Sequence, residues 1–327
     1  MAPREINALG SLIRTRAQLL ASGASDRGIT QGVRAGALLR LSRGFYLRVG
    51  EVADLSPEDR HVLQILAVAR STRTDFPFAG HSAASLHRLP LFQFRSARPL
   101  VLIPNRAYAS STRCVERRVS VCTSDDLTRA SGIRCTSLER TVLDLARHAT
   151  PERAIVCADA AARARIPEVQ GRVPWEALRE WQDALLGRLR GYAGHRGVRR
   201  AAEIVRAIDG GAESPLESVA RWRFISHGYA VDTQVPVPSP NGGTYRVDLE
   251  LRGFGILCEV DGRAKYTSAD LRSGRTADEI VYAEKRRADW IEGTTGKRIV
   301  RIAAPELVSD AAFRAWMVSF RIPAPPP

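Results

Sequence analysis

Lysine is almost missing from this sequence: of 49 Lys and Arg residues, three are Lys, at positions 265, 285 and 297. The skew looks like a high-GC codon bias, and it draws attention to the one C-terminal stretch that holds all three. No run of eighteen apolar residues occurs, which excludes a membrane-spanning helix at the level of sequence. The N-terminus lacks the charged-then-apolar pattern of a secretion signal. Five cysteines, at 114, 122, 135, 157 and 258, form an odd set without metal-ligand spacing. That argues against a zinc module or a disulfide scaffold and for a reduced, cytoplasmic protein. Aromatic residues are 6% of the chain, with no ring platform for stacking RNA bases, so an effector acting on RNA is the weakest functional class.

What is present describes a globular α/β multidomain chain: 44% hydrophobic and 26% charged over 327 residues, long enough for two or three domains. The net charge of +14 calls for a polyanionic partner, and double-stranded DNA fits better than a membrane surface because no amphipathic basic helix is visible. The surplus is uneven. Residues 1–50 carry eight Arg against Glu5 and Asp26, whereas residues 213–302 carry fourteen basic and thirteen acidic residues.

Within residues 1–50, Leu12, Ile13, Ala17, Leu19 and Leu20 have helical spacing. Ser22 to Ser25 break it, and Ser25 or Asp26 can cap a second helix reaching about Arg34. Leu39 to Leu41 and Phe45 to Leu47, joined through Ser42-Arg43-Gly44, predict a small hairpin. Helix, turn, helix, hairpin is the order of a winged helix-turn-helix, whose second helix enters the major groove. That helix carries Arg27, Thr30, Gln31 and Arg34 for base edges and phosphates, and Arg40 and Arg43 on the hairpin would meet the backbone. The bland reading is a helical cap with solvated arginines.

Residues 51–212 predict a mainly helical region, with helices over Pro57 to Arg70, Ser137 to Arg147 and Pro174 to Arg200, and short strands at Pro99 to Ile103 and Val119 to Cys122. His81 and His87 lack the neighbours of a metal site. Glu139, Arg140 and Asp144 suggest a surface charge set on one helix. Gly210-Gly211 marks a hinge.

Residues 213–310 have the order α-β-β-β-α-β. Arg252 to Gly255 forms the turn between two strands, and if Leu251 faces Ile256 then Asp248 faces Glu259, with Asp261 two residues further on the same face. Three carboxylates on one face repel, and a hard divalent cation would compensate them and polarise a phosphate. Asp248, Glu259 and Asp261 are therefore the candidate metal ligands, for Mg²⁺ or Mn²⁺. Glu217 is either an active-site acid or the partner of Ser214 in a capping box. Lys285 and Arg301 are candidate DNA contacts, and Trp290 and Ile291 candidate core. Residues 311–327 are a helix remnant and a Pro-rich tail.

Two resemblances emerge from these residues. Thr15 to Gln18, Ser25 to Arg27 and Leu41 to Tyr46, continued more faintly by Gly80 to His87 and Ser137 to Ala146, resemble the N-terminal region of AbiEi-type antitoxins of type IV toxin–antitoxin systems. That resemblance implies operator binding and a cognate toxin as partner. Asp248, Cys258 to Tyr266, Glu284 to Asp289 and Arg298 to Arg301 look like the Vsr-like branch of the PD-(D/E)xK, or restriction-endonuclease-like, nucleases. It implies catalytic roles for Glu217, Asp248, Glu259 and Asp261. Asp261 stands where the family usually has lysine, and Lys265 is the substitute the resemblance offers. The leading expectation is a DNA-binding, metal-dependent endonuclease. The alternative is an AbiEi-like antitoxin or autorepressor with an inactive nuclease fold.

Overall fold

Thr15 divides what the apolar spacing of the N-terminus joins. In the computed structural model, which describes residues 5–72, 74–95, 97–108, 114–169, 172–262 and 276–326, helix α1 (Ile6–Leu12) stops short and a two-residue strand β1 (Arg14–Thr15) follows. Helix α2 (Arg16–Ala21) starts afresh behind a capping box: Thr15 Oγ1 accepts the Gln18 N–H at 3.1 Å, and Gln18 Oε1 accepts the Thr15 N–H at 2.8 Å. Reciprocal capping satisfies two donors that a helix start leaves orphaned. Ser25 caps α3 (Asp26–Arg34), while Asp26 pairs with Arg16 at 2.6 Å. Strands β2 (Leu38–Ser42) and β3 (Phe45–Arg48) form the expected hairpin, bulged between Arg40 and Ser42, and β1 joins it to give the order β1-β3-β2.

The chain forms two compact units, Met1–Ala161 with Asp183–Val205, and Ala162–Gln182 with Arg206–Pro327. In the first, α4 (Pro57–Ser71) and α5 (His81–Leu86) precede a parallel pair, β4 (Leu100–Ile103) and β5 (Glu116–Val119), and an antiparallel pair, β6 (Leu127–Ala130) and β7 (Ile133–Thr136). The β6–β7 hairpin is not foreseen by the mainly helical reading; Ser131 and Gly132 turn it with φ of 48° and 76°, the left-handed pair that suits a two-residue hairpin. Then come α6 (Leu138–His148), α7 (Pro151–Arg165), α8 (Trp175–Leu189) and α9 (Val198–Arg206). The single helix expected from Pro174 to Arg200 is thus two, broken across Gly191 to Gly197. One apolar core runs from Ile6 through Leu47, Val62 and Ile65 to Cys135, without interruption at residue 50. A fifty-residue segment is marginal alone, and it shares its core with α4 instead.

The second unit contains α10 (Pro215–Ser226), β8 (Val231–Pro238), β9 (Thr244–Leu251), β10 (Ile256–Asp261), α11 (Ala277–Thr295), β11 (Arg298–Ala303), α12 (Ala304–Leu307) and α13 (Asp310–Ser319). The sheet order is β11-β10-β9-β8, with β10 and β11 parallel and the other pairs antiparallel. A parallel pair needs a long crossover, which α11 supplies. Strand β8 runs on to Pro238, because an edge strand tolerates proline. Val237, Val247 and Leu257 pack with Ile291; Trp290 is not core but exposed, its Nε1 donating to Pro238 O at 2.9 Å. Nor is α13 a remnant: Phe313 is fully buried 5.0 Å from Phe224, and Trp316 Nε1 donates to Arg301 O at 3.0 Å. No helix among the described residues is long and apolar enough to cross a membrane.

Several buried polar groups in the first unit are paired rather than solvated. Arg140 and Asp144, expected on a helix surface, are inside: Arg140 Nε donates to Asp144 at 3.0 Å and Nη1 to Asp126 at 2.8 Å. His61 is also inside, its Nε2 2.9 Å from Ser82 Oγ, which already accepts the Leu100 N–H at 2.9 Å. Burial first, and then the charge of His81, lowers the His61 pKa from 6.5 to about 3. A depressed folded pKa means that stability is complete above pH 6.5 and is lost progressively as pH falls towards 3. Urea titrations at pH 7 and pH 5 should show a loss approaching about 1.4 kcal/mol per pH unit from this group, and His61→Gln should flatten that slope. An unchanged slope in the variant would remove His61 as its source.

Candidate functional site

The turn Arg252 to Gly255 places Leu251 opposite Ile256, Glu250 opposite Leu257 and Leu249 opposite Cys258. The sequence register is met for these three pairs. One step further, where Asp248 would face Glu259, the ladder ends: the Val260 N–H donates at 2.8 Å to Asp248 Oδ2, a side chain in place of a backbone carbonyl. Burial, and then the charges of Asp248, Glu259 and Asp261, push the Cys258 thiol up.

Glu259 is 8% exposed, a buried charge that needs a partner. It has two. Arg287 on α11 donates Nη1 to Glu259 Oε1, and Arg301, its neighbour across the parallel β10–β11 pair, brings Nη2 to 3.4 Å from Oε2. Arg287 is itself fixed by the Arg246 carbonyl at 2.7 Å and lies 5.4 Å over the Tyr245 ring. Arg301 also reaches Glu284 at 3.9 Å. A divalent cation needs several oxygen donors turned on one point. Among the described residues no three His, Cys, Asp or Glu side chains are so placed, and both oxygens of Glu259 face guanidinium. As arranged, arginine supplies Glu259 with the compensation that the sequence argument assigns to a metal. Arg287 is the residue sequence reasoning missed as a partner. Its signal is a basic residue on the crossover helix of an acidic strand.

Glu217 is buried near the start of α10. Its Oε2 accepts the Glu213 N–H at 2.7 Å and lies 3.4 Å from Gln234 Nε2, while Ser214 Oγ accepts the Glu217 N–H at 3.2 Å. Helix capping thus accounts for the contact of its backbone, while its carboxylate is held by the residue before the cap and by Gln234. Lys265 lies outside the described residues. Lys285 is exposed on α11 and Arg301 is exposed at the sheet.

The N-terminal candidates share a different character. Ile29 of α3 packs on Leu19 and Tyr46, which turns Arg27, Thr30, Gln31 and Arg34 outward; all four are exposed, as are Arg40 and Arg43 of the β2–β3 hairpin. Thr30 Oγ1 is turned back on its own helix, donating to Asp26 O at 2.9 Å. His81 and His87 bond to backbone carbonyls, at Arg98 (3.1 Å) and Thr136 (2.8 Å), as structural histidines do.

No family model matches the chain. Two uncharacterized proteins of Mycobacterium tuberculosis, MT2308 of strain CDC 1551 / Oshkosh and Rv2248 of strain ATCC 25618 / H37Rv, are each 31% identical to it over 168 residues, 50% of this chain and 55% of theirs. The chain thus spans about half the length of these curated relatives. Among solved structures, the RV2827C protein of Mycobacterium tuberculosis matches 72% of this chain and 87% of its own, at 16% identity and a TM-score of 0.35.

The Asp248 carboxylate holds the end of the β9–β10 pair. Asp248→Ala, which leaves the Val260 N–H without that acceptor, should cost about 1–3 kcal/mol in chemical denaturation. Asp248→Asn keeps an acceptor oxygen and should cost less. Equal losses in the two variants would show that charge, not the hydrogen bond, is what Asp248 contributes.

Proposed function

We propose that this chain is a DNA-binding protein. Its N-terminal segment is a winged helix-turn-helix that places α3 in the major groove of double-stranded DNA, and its second unit is a restriction-endonuclease-like module of the PD-(D/E)xK kind. The observation that carries the proposal is the outward face of α3. It presents two Arg and a Gln on a helix anchored by Ile29, beside a hairpin that carries Arg40 and Arg43. Arg and Gln are suited to the donor and acceptor pattern of guanine and adenine edges, and the hairpin arginines to phosphates. The α-β-β-β-α-β order, with the acidic residues at the end of the antiparallel pair, supports the nuclease-like module.

Whether the module cuts turns on Glu259. On the endonuclease reading, Asp248, Glu259 and Asp261 belong to Mg²⁺ or Mn²⁺ and Lys265 to the phosphate. The pairing of Glu259 with Arg287 and Arg301 favours the second reading, an AbiEi-like antitoxin or autorepressor that binds DNA without hydrolysing it and has a toxin as its other partner. Arg287, Arg301 and Lys285 then serve to bind rather than to cleave.

Two measurements separate the parts. Arg40→Ala with Arg43→Ala should weaken binding to every duplex and lower the salt slope of log K by about 0.9 for each phosphate contact removed; an unchanged slope would sink the winged-helix reading. Supercoiled plasmid incubated with Mg²⁺, Mn²⁺ or EDTA should stay intact on the reading we favour. Metal-dependent nicking that disappears in Glu259→Ala would establish the endonuclease instead.

A further inference from the structure

The first unit contains a basic cavity of about 530 Å³ that the DNA-binding face does not use. Arg118 and Ser120 from the end of β5, Arg147 and His148 from the last turn of α6, and Tyr192 and His195 from the loop after α8 line it. The loop is pressed onto α6: at Gly197, with φ of 84°, a Cβ would stand 2.3 Å from the Arg147 carbonyl oxygen. Arg200 donates to that same carbonyl at 2.7 Å. The wall is therefore a fixed one.

Arg147 is the buried charge of this lining. It is 8% exposed, its guanidinium centre sits 4.2 Å over the Tyr192 ring, and its Nε is buried without a hydrogen-bond partner among the described residues. A buried guanidinium donor left unmet is costly, and stacking on a ring face does not satisfy it. The neighbouring Arg140 cannot share its acceptors, since Asp144 and Asp126 are already engaged by Arg140 and, for Asp126, by Arg188 as well. Arg118, its side chain 42% exposed, stands paired with Glu116 at 3.3 Å. His148 reports the local field: partial burial first, and then Arg118, Arg147, Arg200 and Arg140, lower its pKa to about 4. The cavity is positive and is partly walled by apolar Val119, Val121 and Leu102.

We propose that this cavity binds a small phosphate monoester, with the phosphate against Arg147 and Arg118 and the organic part along the apolar wall. Guanidinium forks match the tetrahedral oxygens of a phosphate, and the volume falls in the range of small-molecule sites. A carboxylate offers fewer acceptors to donors arriving from separate elements, and a water molecule does not offset the surrounding charge.

Calorimetric titration of the full chain with adenosine 5′-monophosphate, inorganic phosphate and adenosine tests this. The monophosphate should bind and raise Tm, inorganic phosphate should compete with it, and adenosine should do neither. Arg118→Ala, at the cavity mouth, should weaken binding about tenfold, the loss of one charge-assisted hydrogen bond. Arg147→Lys, which keeps the charge and removes Nε, should weaken it as much. Arg314→Ala, outside the lining, should leave it unchanged and so serves as the control for net charge. Because Arg147 is buried, a misfolded Arg147→Lys leaves the decision to Arg118→Ala. The proposal is overturned if neither phosphate probe binds at millimolar concentration, if adenosine binds equally, or if Arg118→Ala binds as the parent does.

Discussion

A charge taken out of water must meet an opposite charge or a full set of hydrogen bonds, and both units of this protein are organised around one such residue. In the first it is Arg140. Its guanidinium gathers Asp144 of its own helix, Asp126 ahead of β6 and the Ser120 hydroxyl after β5, so α6 is pinned to both ends of the connection between β5 and β6. Burial alone would lift the Asp126 carboxyl, yet the Thr123 N–H and the Arg140 and Arg188 guanidiniums bring it below its ordinary range. In the second unit the residue is Glu259, drawn between the crossover helix and the last strand by Arg287 and Arg301.

The two cases explain what the sequence could and could not convey. The strands of the C-terminal sheet were legible because β9 alternates, β10 is a dense apolar run and Gly253 and Gly255 mark their turn. Glu259 and Asp248 were legible as unusual because they stand beside Leu257 and Val260. What compensates them was not legible, since Arg287 is twenty-eight positions from Glu259 and nothing local ties the two. The same holds for Arg140 and Asp144: the i,i+4 spacing is visible, but burial depends on Asp126 and on the elements packed above. Helix limits failed where a single polar residue decided them, as Thr15 did with its capping box. The β6–β7 hairpin was missed although Ser131-Gly132 is a recognisable turn pair.

Both buried charges also bear on how the molecule handles anions. Outward arginines on α3 and the β2–β3 hairpin are mobile, solvated donors, suited to a partner that approaches from bulk water. Arginines closed onto carboxylates, as around Glu259, are neutralised donors, and any phosphate reaching them competes with an internal ligand. Arg147 belongs to neither class, being buried and stacked yet short of an acceptor. A chain this rich in arginine therefore presents three distinct electrostatic environments, and its formal net charge alone would not separate them.

The uninterrupted core from Ile6 to Cys135 has a consequence for inheritance. Leu9, Leu41 and Leu47 pack in the same cluster as Val62, Leu63 and Ile65 of α4, so a recombination joint at residue 50 would leave an open apolar wound on both fragments. If the α3 face has been traded between proteins, it must have travelled with α4 and the strands behind it. Exchange of that longer piece, rather than of a free-standing reading head, is the genetic unit this packing permits.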